Sequence, residues 1–418
     1  MKHLYALSFF ALVFSACSHS GQDQYSESGL SMQPISTVPA EIIPKTEIAS
    51  LPLDEPQQEI LISGTPGLAL KLLDAQSKTR NYVVSPLGVQ YLTGILANIA
   101  GDNEQKLALI ASVYSKEVDV KTINNINKIL IQNLSALDLY CRVSTANICV
   151  YDQNTQMDGD IKSCLETSYQ ACTVPANMLS LSTVDRINDW ASAHTNGNIN
   201  NVLDRNKFMG GQAIIANAQY FSAPWLKEFD KAGKDSFYST DPDKAEQIDF
   251  MVSTLQLLHK KTSEYESVVI PFGNGIYRMI IHLPSDGVKP VLSDLDISSF
   301  KPSIGTVSLP LADITTSIDL ADVFKTGFGI DVHKIIAGSD SQTVPMKEMQ
   351  QNCRINWDEK GTEAASASVS LFYEGDLGDI PDDQLPIVTF KADHPFYFFI
   401  TTADTSVILY AGYFNNVN

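Results

Sequence analysis

Positive charge is scarce in this chain. Its 418 residues carry 29 Lys and Arg against 48 Asp and Glu, a formal charge of -19. Nucleic-acid binding draws its affinity from cations set against phosphate, so the composition argues against that class of partner and disfavours docking on an anionic membrane surface. The signatures of common enzymes are missing as well: there is no G-x-S-x-G elbow, no H-E-x-x-H and no P-loop. The seven histidines show no metal-ligand spacing and no Cys-x-x-Cys occurs. No metal, no cofactor and no enzymatic activity are therefore expected. Beyond the first residues no apolar run approaches the roughly 18 residues of a membrane-spanning helix.

What is present begins with an export signal over residues 1–17. Lys2 and His3 precede an apolar run from Leu4 to Phe14, too short to span a bilayer. Phe14-Ser15-Ala16-Cys17 resembles the lipobox of bacterial lipoproteins, which implies that Cys17 is lipidated and anchors the chain to a membrane. Phe14 stands where Leu is usual, so ordinary cleavage is the alternative. The expected location is the outer membrane or cell surface, or, with simple cleavage, a secreted or periplasmic one. Residues 18–57 are rich in Ser, Gln, Glu and Pro without periodicity and read as a flexible tether. The folded domain is expected over 58–418.

Five further cysteines remain, Cys141, Cys149, Cys164, Cys172 and Cys353. An odd number leaves at least one thiol outside any intramolecular bridge. If Cys164 and Cys172 share a helix, their separation is roughly 12 Å at 1.5 Å per residue, beyond the roughly 7 Å that a disulfide tolerates between Cα atoms. Cys141 and Cys149 on one strand would lie farther apart still. They are read mostly as buried small hydrophobes.

Apolar periodicity predicts helices over 60–75, from Ser85-Pro86 to about Ala100, near 104–114 and over 121–137. Strand-like alternation appears around 143–151 and 213–221. A hairpin is expected over 267–284 around Gly273-Asn274-Gly275, and the last strands over 396–401 and 407–414. Helices dominate early and strands late, which is α+β.

One segment stands apart. Asp358-Glu359-Lys360-Gly361-Thr362-Glu363-Ala364-Ala365-Ser366-Ala367-Ser368-Val369-Ser370 places an acidic start, a glycine and a run of small residues between two apolar strands. As a strand its side chains would alternate between faces. Thr362, Ala364, Ser366, Ser368 and Ser370 would share the inward face, with Glu363, Ala365, Ala367 and Val369 on the other. No bulk and no charge falls on the inward face, as a segment that slides into an existing sheet requires.

Phe390-Lys391-Ala392-Asp393-His394-Pro395-Phe396, continuing to Ile400, resembles the C-terminal signature of the serpins, and Asp358 to Ala365 resembles their proximal hinge. Val83-Val84-Ser85-Pro86-Leu87, Ile187-Asn188-Asp189-Trp190 with Thr195 to Ile199, and Ala216 to Phe221 with Pro224-Trp225 and Phe229-Asp230 resemble further family segments in the same order. The resemblance implies a serpin fold: a large mixed β-sheet, additional sheets, about eight or nine helices and an exposed reactive loop, here about 359–389. It implies a monomeric protease inhibitor whose partner is a target protease trapped as a covalent acyl complex. Carried over by motif, the hinge is Glu359, Gly361, Thr362, Glu363, Ala364, Ala365, Ser366, Ala367 and Ser368. Ser85, Asn217 and Gln351 match the shutter under the sheet, with a structural role for Ser85.

Two departures are evident, Gly88 in place of a frequent second serine and Gln351 in place of the usual histidine. Counting sixteen residues on from Glu359 reaches Gly375. Because the loop is longer than is common in the family, the scissile region is set more broadly at Leu371, Phe372, Tyr373, Glu374, Gly375, Asp376 and Leu377. From Leu371 to Gln384 there is no Lys or Arg and there are five acidic residues. That favours a chymotrypsin-, subtilisin-, elastase- or papain-like target over a trypsin-like one. The alternative reading is a non-inhibitory serpin-fold binding or structural lipoprotein.

Overall fold

A computed structural model of the chain describes residues 48–114, 118–197, 199–200, 202–205, 213–239, 244–285, 288–335, 346–362 and 384–416. Seven α-helices fall within them, fewer than the eight or nine expected: α1 (Glu55–Asp74), α2 (Pro86–Ile99), α3 (Asn103–Tyr114), α4 (Val120–Asn133), α5 (Gly159–Ser168), α6 (Leu181–His194) and α7 (Leu320–Gly327). None is long and apolar enough to cross a membrane. Packing begins ahead of residue 58: the Ile48 N–H donates to Ala136 O at 2.8 Å, and Leu51 and Leu53 lie against the core. Asp54 then caps α1 in a reciprocal box with Gln57, which satisfies amides otherwise orphaned at a helix start.

Two sheets organise the strands. The nine-stranded sheet runs β1 (Tyr82–Val84), β15 (Ile408–Phe414), β14 (Phe396–Thr402), β8 (Tyr277–Pro284), β7 (Tyr265–Pro271), β6 (Glu246–Lys261), β9 (Lys301–Pro310) and β13 (Ile387–Lys391), with β5 (Asp230–Phe237) also on β6. The six-stranded sheet runs β10 (Ala312–Asp319), β11 (Met346–Trp357), β4 (Ala213–Pro224), β2 (Arg142–Asp152) and β3 (Ala171–Ala176), with β12 (Gly361–Thr362) on β4. It is mixed: β11 with β4 and β2 with β3 are parallel, the other pairs antiparallel.

Within the six-stranded sheet β4 is buried on both faces, whereas the edge strand β10 exposes alternate residues. Ala213, Ile215, Phe221 and Ala223 belong to the main core, while Ile214, Ala216 and Ala218 belong to a second core with Val184, Ile187 and Trp190 of α6. Fully buried strands read as continuous apolar runs rather than alternating ones, as β4 does. Asn188 of α6 ties this layer down, accepting from the Val202 and Leu203 amides at 2.8 and 2.9 Å.

The cysteines divide differently from the one-helix geometry considered for Cys164 and Cys172. Cys164 lies on α5, and Cys172 lies on β3. Cys141, Cys149, Cys164 and Cys353 carry thiols outside any disulfide, and Cys141, Cys149 and Cys353 are buried. Burial raises the Cys149 thiol to about 12. Cys141, Cys149 and Cys353 are small core residues, as the sequence suggested, whereas Cys164 is half-buried and Cys172 is disulfide-bonded.

Candidate functional site at the sheet seam

Strands β11 and β4 close only half of their common boundary. They pair in parallel from Met346 opposite Ala213 to Asn352 opposite Ala218. Beyond that point both strands continue, β11 to Trp357 and β4 to Pro224, without pairing to each other among the described residues. Each stays held on its far side, β11 by β10 and β4 by β2. The result is a wedge, zipped at one end, along whose other half β4 and β11 do not pair with each other among the described residues, with β12 lying on β4 at the mouth.

The mouth of the wedge holds the hinge. After β11 the chain turns at Asp358–Lys360, where Asp358 Oδ1 accepts the Lys360 N–H at 2.8 Å. Trp225, just after β4, clamps this turn: its backbone N–H donates to Lys360 O at 2.9 Å and its indole Nε1–H to Asp358 O at 2.8 Å. The Phe229 N–H adds a bond to Glu359 O at 2.8 Å. The Trp225 ring stacks on Phe272 at 4.3 Å and 13°, so the clamp is anchored in the core.

Two hinge residues have already entered the sheet. Gly361 pairs with Pro224 and Thr362 with Ala223, antiparallel to β4. Thr362 is fully buried, and its Oγ1 accepts the Ala223 N–H at 3.0 Å. Gly361 has φ +143°, and a Cβ there would overlap the Ala223 carbonyl oxygen. Only glycine fits both the dihedral and the space.

Lower down lie the shutter residues. Ser85 caps α2, its Oγ accepting the Gly88 N–H at 3.0 Å. Gln351 grips the Ser85 backbone with both ends of its carboxamide: Oε1 accepts the Ser85 N–H at 2.9 Å and Nε2 donates to Ser85 O at 2.7 Å. Glutamine can do this because it carries a donor and an acceptor. Asn217, directly opposite Gln351 in the register, turns the other way and donates from Nδ2 to Asn147 Oδ1 at 2.9 Å. Among the described residues its Oδ1 has no partner, nor has Nε2 of Gln219, whose Oε1 accepts the Thr145 hydroxyl at 2.9 Å. Each buried unpaired group of this kind costs about 1–3 kcal/mol. Gly88 explains how Asn217 fits, since a Cβ at residue 88 would overlap Asn217 Oδ1 and come within 2.9 Å of Gln351 Nε2.

Of the expected site residues, the structure thus brings Ser85, Asn217 and Gln351 together and sets Glu359, Gly361 and Thr362 at the mouth. Glu363, Ala364, Ala365, Ser366, Ala367 and Ser368, the whole scissile region Leu371–Leu377, and Cys17 lie outside the described residues. Ser85 caps α2 and meets Gln351 in this cluster. Trp225, Phe229 and Gln219 were not singled out as site residues from sequence. All three did fall within recognised family segments, which was the available signal.

A parallel seam, a two-residue strand at its mouth and a polar cluster beneath it make up the candidate site. The model of the family described as "Serpin (serine protease inhibitor)" matches residues 67–417, and the chain belongs to the serpin family. It is 25% identical to Serpin-Z3 of Arabidopsis thaliana over 381 residues, 82% of this chain and 94% of that one. It is 28% identical over 242 residues to an uncharacterized serpin-like protein of Methanosarcina acetivorans, 54% of this chain and 56% of that one. Among solved structures, the thermophilic serpin tengpin in its native state superposes with a TM-score of 0.74 at 21% identity, covering 89% of this chain and 97% of tengpin. Human thyroxine-binding globulin complexed with its hormone gives 0.71 at 16% identity, covering 86% and 97%. The shared fold is that of the serpins. Proteins of this family generally inhibit proteases rather than act as enzymes, and some carry ligands instead.

Proposed function

We propose that this chain inhibits a protease by suicide-substrate trapping through its reactive loop. The observation that carries the reading is the burial and pairing of Thr362 at the open end of the β4–β11 seam. Continued in the same register, Glu363 falls opposite Ser222 and each later residue one step farther down β4, so that Phe372 reaches Ala213 at its end. Ala364, Ser366, Ser368 and Ser370 then face the main core with Phe221, Gln219, Asn217 and Ile215, and the other set faces outward and toward α6. The inward set is the small one. A strand of this composition enters without a clash that a larger residue would create.

The chemistry belongs to the target. Its serine or cysteine attacks a loop carbonyl between Leu371 and Leu377, an ester or thioester bond to the loop forms, and the amine of the next residue leaves. The freed loop then zips into the seam, gaining backbone pairing and burial, and carries the acylated protease with it. Distortion of the protease site blocks the water that would complete hydrolysis. A cut after Phe372, Tyr373 or Gly375 frees enough chain to fill β4 to its end. The lack of Lys and Arg from Leu371 to Gln384 supports a chymotrypsin-, subtilisin-, elastase- or papain-like target. We further propose export, with lipidation at Cys17 holding a monomeric domain at the outer membrane or cell surface. Metabolic labelling with a fatty acid, lost in Cys17→Ala, tests that part.

A denaturing gel of the protein with chymotrypsin, subtilisin, elastase and papain tests the inhibitory reading. An SDS-stable band at the summed mass supports trapping. Cleavage with no complex and no later rise in thermal stability replaces it with the non-inhibitory binding reading.

A further inference from the structure

Asp138 lies in the link between α4 and β2 and is fully buried. A carboxyl cut off from solvent needs donors on its oxygens, and this one takes them from two directions. Oδ1 accepts the Tyr140 N–H at 2.9 Å within its own link, and Oδ2 accepts the Asn274 N–H at 2.9 Å from the tip of the β7–β8 hairpin. Burial pushes the carboxyl above the ordinary aspartate range, and these amides pull it back toward the ionised form. The tip is fitted to it. Gly273 has φ +50°, and a Cβ there would overlap both Asp138 Oδ2 and Cys141 Sγ. Farther along the hairpin the Tyr277 hydroxyl donates to Leu134 O at 2.6 Å, which ties β8 to the turn ahead of Asp138.

The other side of the tip carries the hinge clamp. The Gly273 N–H donates to Pro224 O at 2.9 Å, and the Leu226 N–H to Pro271 O at 3.0 Å. Phe272, between them, pairs with Trp225 and stacks on its ring. Trp225 in turn donates to Lys360 O and Asp358 O. An unbroken run of contacts thus leads from Asp138, through the hairpin tip, to the turn that carries Gly361 and Thr362.

We propose that Asp138 is a positioning residue for the hinge: it seats the tip of the β7–β8 hairpin, and the seated tip holds Trp225 against Asp358–Lys360. The proposal deepens the inhibitory reading above, since the mouth so held is the one the loop must enter. Every contact it uses is already made in the uncut chain. Without the carboxylate the Asn274 amide loses its acceptor, and the space over Gly273 opens. Close-packed interiors pass such a displacement on rather than absorb it, and the stacked Phe272–Trp225 pair is the next layer in line.

The test is hydrogen exchange on the uncut full chain, read at the Trp225 and Phe229 amides, which donate to Lys360 O and Glu359 O. Asp138→Ala should speed both by about tenfold more than the β14–β15 amides, which follow global opening. Asp138→Asn keeps one acceptor and should fall between. Gly273→Ala, which presses a Cβ on the carboxylate, should give the same local signature, and less of it in an Asp138→Ala background. Asp158→Ala, which uncaps α5, should move the clamp amides no more than the global change. If Asp138→Ala does not fold, Asp138→Asn and Gly273→Ala decide. Equal acceleration at the clamp and in β14–β15 overturns the positioning role and leaves the inhibitory reading standing. Local acceleration, with no SDS-stable complex from the wild type, supports the positioning role and overturns the inhibitory reading alone.

Discussion

Thr362 and Ala223 face each other in antiparallel register, and the threonine hydroxyl accepts the alanine N–H at 3.0 Å inside a fully buried contact. The pair fixes the direction, the face and the row at which any further residue of the loop would join β4. It also makes Thr362 the position most sensitive to size and charge. Thr362→Arg places a cation at a fully buried position. The expected outcome is a chain cut by its target with no stable complex and no post-cleavage gain in stability, measured by gel and thermal melt.

Gly361 carries the second constraint. Its φ of +143° and the nearby Ala223 carbonyl leave no room for a Cβ. Gly361→Ala should expel β12 from the mouth and lower native stability by about 1–3 kcal/mol in denaturant unfolding.

Trp225 reports on the same region. Trp225→Phe keeps the stack on Phe272 but deletes the indole bond to Asp358 O. A loss of about 0.5–1.5 kcal/mol in native stability is expected. The emission change that accompanies loop cutting in the wild type should shrink in this variant.

Much of this arrangement could be read from residues alone, and the reasons are local. Ser85 before Pro86 is a helix start with its own chemistry, and α2 begins there. The alternating small residues after Gly361 forecast a strand with a permissive face; the first of them, Thr362, is buried, and the others lie outside the described residues. The hairpin over 267–284 forms around Gly273-Asn274-Gly275, where Asp138 Oδ2 accepts the Asn274 N–H at 2.9 Å. Asp138 illustrates what was not legible, since a contact across more than a hundred residues leaves no local pattern. The same holds for Gly88 and Gln351. Each departs from the family by itself, and only their shared proximity to Asn217 shows that the two departures fit together.

Gln351→Ala removes both contacts to the Ser85 backbone, leaving a buried N–H and a buried carbonyl with one partner fewer. A destabilisation of about 1–3 kcal/mol is expected in chemical unfolding. Gln351→Glu keeps one contact and should fall between.

Two histidines give opposite pH dependences. His394 Nδ1 meets the Asp393 carboxylate at 2.9 Å and Nε2 meets Pro284 O at 3.1 Å. Two acceptors favour the imidazolium, and the Asp393 contact chiefly raises its pKa above the ordinary histidine value. Its contribution is full below the unfolded value near 6.5 and is lost as pH rises through the higher folded value. His282 is buried and held neutral, its pKa lowered to about 4 by desolvation. Its contribution is present above about 6.5 and is lost as pH falls toward 4. Unfolding series from pH 4 to 9 on His394→Gln and His282→Gln should flatten the alkaline and the acidic side respectively.

Hydrogen exchange along the open half of the seam tests the central claim most directly. Amides in Gln219–Ser222 of β4 and Cys353–Asn356 of β11 should gain protection once the loop is cut, while β10 and β2 on the outer sides stay as they were. Cutting that leaves these edges exchanging as in the uncut protein would contradict loop insertion at the β4–β11 seam.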